Sequence, residues 1–179
     1  MEQVIRIGMD TSKNLFQLHG VDASERPVLR KKVRRNDLLA FFVQQPPTVV
    51  GMEACGAAHY WARELGKLGH EVKLIAPQHV KAYIKRNKND GRDAEAVCEA
   101  MSRPTMQFVP VKTEEQQAAL MLIGVRQQLM TRRTQLSNAI RGYAAEFGVI
   151  TAKGLVKVEP LLAQIARDES LPALAREMF

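Results

Sequence analysis

The sequence predicts a mixed α/β sheet with helices on its faces. Two observations carry that expectation. Residues 3–33 hold three consecutive strand-like runs separated by turn residues, and the stretch after them alternates helical and strand patterns, with proline or glycine at the joints.

The elements follow in order. Residues 3–9 read as a buried strand rich in β-branched side chains, and Asp10 closes it. Leu15 to Val21 reads as a second strand and Pro27 to Val33 as a third, with Asp22-Ala23-Ser24-Glu25 as the turn between them. Asn36 is placed to cap a helix through Val43, which Pro46-Pro47 ends. Thr48 to Met52 gives a fourth strand closed by Glu53. Ala57 to Leu68 gives a helix stopped by Gly69, and Val72 to Ile75 gives a fifth strand. Pro77 opens a helix expected to run through Arg86. The sheet is therefore expected to have five strands, with Asp10 and Glu53 at carboxyl ends, where sites gather in such sheets.

Beyond the short run Met106–Val111 the texture changes. Thr113 and Gln116 have the spacing of a capping box, and no proline follows until Pro160. Leu122, Val125, Leu129, Leu136, Ile140, Tyr143 and Phe147 form a near-heptad stripe, with Gly148 as the stop. Such a helix would be about 50 Å long, and is expected to pack on another helix or another subunit. Three regions follow: 1–111 as the sheet domain, 112–148 as a coiled-coil-like helix, and 149–179 as a short helical tail. The tail shows no closing signal and ends on apolar Met178-Phe179, as expected for a cut within a longer protein.

Composition narrows the class. The net charge of +7 points to a polyanionic partner. Cys55 and Cys98 form no CxxC pair and are expected as buried thiols in a reducing cytoplasm. His19, His59, His70 and His79 lack zinc-binding spacing. No apolar run approaches the roughly 18 residues of a membrane span, and the start is no signal peptide, so a cytoplasmic protein is expected.

Four carboxylates carry the chemistry. Asp10 and Glu53 end strands, while Asp90 and Asp93 lie three apart at the start of the amphipathic segment containing Ala94, Val97, Cys98 and Met101. Residues three apart on a helix are neighbours, although first-turn acids also simply complement a helix dipole. Acids brought together repel unless a cation lies between them, and Mg²⁺ or Mn²⁺ prefers such oxygen ligands. Together they suit metal-dependent phosphoryl transfer. One basic run comprises Arg30, Lys31, Lys32, Arg34 and Arg35. A second comprises Lys81, Lys85, Arg86, Lys88 and Arg92, and leads into the acid pair. With Lys13 beside Asp10, and Arg126, Arg132 and Arg133 on the long helix, these suit a phosphate backbone or a solvated face. Tyr60, Trp61 and Tyr83 are available for base stacking, although residues placed like Tyr60 and Trp61 are more often core or helix-packing ones. Ser12 has no neighbouring base to activate it as a nucleophile.

Several segments together resemble the DEDD-motif transposases of the Piv-invertase-like insertion sequences, the bridge-RNA-guided recombinases. They are Ile7-Gly8-Met9-Asp10, Gly51-Met52-Glu53-Ala54-Cys55-Gly56-Ala57-Ala58-His59-Tyr60-Trp61-Ala62-Arg63, Asn87-Lys88-Asn89-Asp90-Gly91-Arg92-Asp93-Ala94-Glu95-Ala96, Ser102 to Lys112, and Gln135 to Gly148. The resemblance implies an RNase-H-like, RuvC-type fold. It also implies that the quartet falls on Asp10, Glu53, Asp90 and Asp93. Implied too are insertion-sequence DNA as substrate, a structured guide RNA as partner, and dimers or tetramers joined through the long helix. The family's carboxy-terminal domain with its proposed serine nucleophile has no match here, so this chain is expected to be an amino-terminal half. A RuvC-like junction nuclease and a non-catalytic RNA- or DNA-binding module are the competing readings. A sugar-kinase-like reading fails because Thr11-Ser12-Lys13-Asn14 offers no glycine-rich phosphate cradle.

Overall fold

Side-chain alternation along the first strand decides which element packs on which side of the sheet. The computed structural model describes residues 3–83 and 90–179, the side chain of Asp90 excepted. Strands β1 (Arg6–Asp10), β2 (Leu15–Val21), β3 (Pro27–Arg34), β4 (Val49–Glu53), β5 (Glu71–Ile75) and β6 (Phe108–Val109) form one sheet in the order β3-β2-β1-β4-β5-β6. The first three are antiparallel neighbours, while β4 runs parallel to β1 and β5 parallel to β4. This is the RNase-H-like arrangement. It has six strands rather than the five expected, because Phe108 and Val109 pair with Ile75 and Leu74 along the edge of β5. A two-residue strand has too few side chains to show alternation in sequence.

One face of the sheet carries Ile7, Met9, Phe16, Leu18, Val50, Met52 and Leu74. They pack against α1 (Leu38–Val43) and α2 (Ala58–Lys67) through Leu38, Phe42, Ala58, Trp61, Ala62 and Leu65. Each fully buried large side chain here contributes roughly 1.5–3 kcal/mol. Asn36 does not cap α1: a 3₁₀ turn over Arg35–Asp37 leads into the helix without a side-chain cap. Gly69 does stop α2. It takes a φ of +88°, and the next N–H, of His70, donates to Leu65 O at 3.2 Å. His70 itself is buried, accepting from Thr48 N–H at Nδ1 (3.2 Å) and donating from Nε2 to Phe42 O (3.1 Å). That structural role uses both ring nitrogens.

The other face carries α4 (Asp90–Ala100), whose Ala96, Val97, Cys98 and Ala100 pack with Val21, Ile75, Val80 and Met101. The approach is very close. A Cβ on Gly8 would lie 2.1 Å from Ala94 O and 2.5 Å from Cys98 N. The room that Gly8 leaves is filled by helix backbone. Arg6, on the same face, donates from Nε to Cys98 O at 3.1 Å. Burial pushes the Cys98 thiol up, despite the neighbouring guanidinium. Cys55, expected to be buried, is exposed instead, because it lies in the loop after β4 and not in either packed face. The helix opened by Pro77 runs as α3 (Pro77–Val80) and a 3₁₀ turn (Lys81–Tyr83), and its expected continuation lies outside the described residues.

The hairpin between β2 and β3 is held by Asp22. Its carboxylate accepts from the N–H groups of Ser24 (2.8 Å) and Arg26 (3.0 Å), and from Arg26 Nε (3.1 Å). The Arg26 backbone bond first, and the Ser24 bond with it, holds this carboxyl below its ordinary 3.8. A depressed folded-state pKa stabilises above the unfolded value and loses that stabilisation as pH falls through the folded one. Urea midpoints measured between neutral pH and pH 3 should therefore fall less steeply in Asp22→Asn than in the wild type.

The chain divides into two compact units, one ending at Thr113 and one spanning Glu114–Phe179. In the second, α5 (Glu114–Glu146) is a 33-residue helix, and α6 (Val158–Arg167) and α7 (Ala173–Met178) follow. Ala144, Val149, Leu161, Ile165 and Leu171 form its small core, with Ile140 and Phe179 against it. Gly148 ends α5 with a φ of +77°, and Val149 N–H donates to Ala144 O at 3.0 Å. Most of the near-heptad stripe is exposed, Leu122 at 71% and Leu129 at 62%.

Candidate active site

The parallel pairing of β1 with β4 runs Arg6 with Val49, Gly8 with Gly51 and Met9 with Met52. The next step brings the levels of Asp10 and Glu53 together at adjacent carboxyl ends, where neighbouring strands lie about 4.8 Å apart. Alternation puts both on the side of Gly8 and Gly51, which is the side of α4. Both are half-buried. Thr11 Oγ1 and Cys55 Sγ, 3.2 Å apart, tie the two following loops to each other. Ser12 is occupied locally: its hydroxyl accepts from Leu15 N–H at 3.1 Å and donates to Leu15 O.

Helix α4 runs antiparallel to β1. Its Cys98 carbonyl meets Arg6, and its Ala94 carbonyl meets Gly8. Two strand residues span about 6.6 Å, the rise of about four helical residues, so the level of Asp10 falls at the first turn of α4. That turn holds Asp90 and Asp93. The Asp93 Oδ1 atom is buried and has no hydrogen-bond partner. A carboxylate oxygen without solvent or a donor costs free energy until a cation or a proton meets it. The Asp90 side chain lies outside the described residues. Among those described, no three His, Cys, Asp or Glu residues stand close enough to hold a metal by themselves.

The predicted basic residues are spread over several elements. Arg30, Lys31, Lys32 and Arg34 are exposed on β3, an outer strand of the sheet. Lys31 Nζ lies 4.9 Å from the centre of the Phe41 ring. Lys13 is exposed in the loop after Asp10. Lys81 is exposed in the 3₁₀ turn after α3, and Arg92 sits in the first turn of α4. Lys85, Arg86 and Lys88 lie outside the described residues. Arg126, Arg132 and Arg133 are exposed on α5, Arg133 donating to Met130 Sδ at 3.2 Å. Arg35 departs from the solvated reading. Its guanidinium lies 5.0 Å from the Trp61 ring centre and 5.9 Å from that of Phe16.

Two histidines have structural partners. The Lys112 N–H donates to His59 Nδ1 at 3.2 Å, and burial first, then Lys112 and Arg63, hold His59 below its ordinary value. With His70 bridging Thr48 and Phe42, these rings keep α1, α2 and the strand ends in place. Sequence reasoning gave no role to Gly51, the second glycine against which α4 packs. Its signal was the pairing of Gly8 and Gly51, each two residues before an acid.

A family model described as a transposase, the DEDD type of IS110 elements, matches residues 7–147. Among curated proteins, the chain is 63% identical over 179 residues to the putative transposase y4pF/y4sB of Sinorhizobium fredii, covering 100% of this chain and 46% of that protein. It is 52% identical over 168 residues to a probable family 20 transposase of Pseudomonas aeruginosa, covering 93% and 50%. It is 42% identical over 172 residues to the transposase for insertion sequence element IS1328 of Yersinia enterocolitica, covering 96% and 51%. The chain thus spans about half the length of the curated relatives it matches. Among solved structures, T. thermophilus RuvC in complex with a Holliday junction substrate aligns with 60% of this chain and all of its own, at a TM-score of 0.43 and 13% identity.

Proposed function

The chain belongs to the DEDD transposase family of IS110 elements, and from that membership we propose that it supplies the acidic half of a DNA strand-cleavage and strand-transfer centre. Asp10 and Glu53 from the strand ends, with Asp90 and Asp93 from α4, would hold a divalent cation, Mg²⁺ or Mn²⁺. The single observation that carries this is the buried, unpartnered Asp93 Oδ1, in the helix turn that falls at the level of two strand-end carboxylates. An all-oxygen, all-anionic donor set matches a hard divalent ion. When bound, the cation neutralises charge developing on the reacting phosphodiester. The chain's own contribution is rigidity. Two strand ends fixed by the ladder and one helix seated on glycine hold acids that would otherwise repel. The exposed basic edge of β3 suits the phosphate backbone that must approach them.

The finer reading rests on the family resemblance: a structured RNA selects the DNA site, and the full-length protein works as a dimer or tetramer. The unpaired stripe on α5 supports the assembly, and the arginines beside it support nucleic-acid contact. In the full-length protein, Glu53→Gln should abolish Mg²⁺-dependent strand cleavage. Groups that merely orient metal ligands cost 10–100-fold, so a direct ligand should cost at least about hundredfold. Sequencing the nucleic acid that copurifies should return one discrete structured RNA. Retained cleavage would remove the acids from the chemistry, and random fragments would remove the guide.

A further inference from the structure

A hollow lies toward the carboxyl end of the sheet, on the face opposite α4. Arg35, Asn36, Leu39, Ala57, Tyr60 and Trp61 line about 410 Å³. Four features of its lining need a ligand or a special reason. The Arg35 guanidinium rests against Trp61, and no carboxylate pairs with it among the described residues. Trp61 is 4% exposed, and its indole N–H is buried without an acceptor. Tyr60 is 44% exposed, its ring set at 74° to Trp61 with centres 5.0 Å apart, so an aromatic surface remains open to the solvent. Ala57, on the rim, holds a φ of +67°, which an alanine adopts at a cost.

Each feature alone has an ordinary explanation. Together they describe one chemistry: a flat aromatic group to stack, an anion for the guanidinium, and acceptor atoms. An unpaired nucleotide offers all three, since every base has a π-face and every link a phosphate. The location fits as well. Arg34 is opposite Leu15, whereas Asp10 is opposite Gln17, with β2 between. Two strand spacings and two residue rises separate Asp10 and Arg34 by about 12 Å within the sheet, and a strand bound at both rounds the carboxyl edge from one face to the other, a span of a few nucleotides.

We propose that this hollow takes an unpaired nucleotide of the strand whose phosphodiester lies at the carboxylates, its base against Tyr60 and its phosphate on Arg35. The inference rests on the nucleic-acid reading above and adds a position where that strand is unstacked. It specifies a substrate with a distorted or single-stranded step close to the cut.

Trp61 is the chain's one tryptophan, so its emission reports on this wall. Titrated in EDTA with a short oligothymidylate, the protein should show saturable quenching. Tyr60→Ala should weaken binding about tenfold and Tyr60→Phe should not, a loss within the range for one stacked base. Arg35→Gln should lower the salt slope by about 0.7, the value for one phosphate on a single strand. An oligonucleotide of abasic residues should bind wild-type protein no better than oligothymidylate binds Tyr60→Ala, and this arm leaves the protein unaltered. Parallel titration with oligouridylate assigns the nucleotide to DNA or to RNA by which binds tighter. Equal affinity for wild type and Tyr60→Ala, with full binding of the abasic strand, would overturn the proposal. Asp93→Asn should bind the oligonucleotide normally in EDTA, and Tyr60→Ala should bind Mn²⁺ normally. Failure of the hollow is thereby told apart from failure of the acid site.

Discussion

Alanine at Gly8 should destabilise the protein by about 3 kcal/mol or more, at or beyond the upper end of ordinary overpacking. The new methyl would sit 2.1 Å from Ala94 O and 2.5 Å from Cys98 N, and those are backbone atoms with no rotamer to escape into. Either α4 lifts from β1 or the strand buckles. For a chain of this size, the thermal midpoint should drop by roughly 6–12 °C. Gly51→Ala is the control. Its methyl would meet Met101 Sδ at 2.6 Å, the flexible end of a thioether, so a cost near 1 kcal/mol is expected. Urea denaturation of the two variants side by side tests the ordering. Equal stability of Gly8→Ala and wild type would mean that α4 does not rest on β1 as described. Because α4 carries Asp90 and Asp93, Gly8→Ala should also weaken Mn²⁺ binding even though no ligand has changed.

The second large effect concerns Asp93. In wild-type protein, Mn²⁺ at a hundred times its dissociation constant should add about 2.7 kcal/mol of stability, by linkage. That corresponds to a rise of roughly 5–10 °C in the thermal midpoint. Asp93→Asn should show no such rise, and titration calorimetry should show Mn²⁺ affinity reduced at least about hundredfold. Without metal the variant should be no less stable than wild type. The substitution removes charge from a carboxylate whose Oδ1 is buried without a partner. Loss of the metal response with retained apo stability separates a ligand from a structural acid. A variant that still gains 5–10 °C with Mn²⁺ would place the cation elsewhere.

How much of this was legible in sequence depended on the range of the interaction concerned. The runs ending at Asp10 and Glu53 were readable because strand alternation is a property of consecutive residues. Leu15–Val21 came out with the bounds the structure shows, since its flanking turn residues are unambiguous. The stops at Gly69 and Gly148 were readable for the same reason, each being a local demand for positive φ. Phe108–Val109 was not, because its only reason to be a strand is the neighbouring Ile75 and Leu74. Cys55 and Cys98 looked alike in composition, yet one lies in a loop and the other under a helix. Arg35 read as one more cation in a basic run, and only the fold set it over Trp61.

The sequence by itself determined the order of the first five strands and the helices between them, the excess of positive charge, and the family to which the chain belongs. Those follow from residue type and near-neighbour spacing, which folding does not change. Only the tertiary structure decided that β4 lies beside β1, that α4 lies across Gly8, and that Asp93 Oδ1 is buried with no donor. Each depends on residues tens of positions apart meeting in space. Contacts of that kind are selected by the packing of whole faces, and no local pattern records which face will meet which.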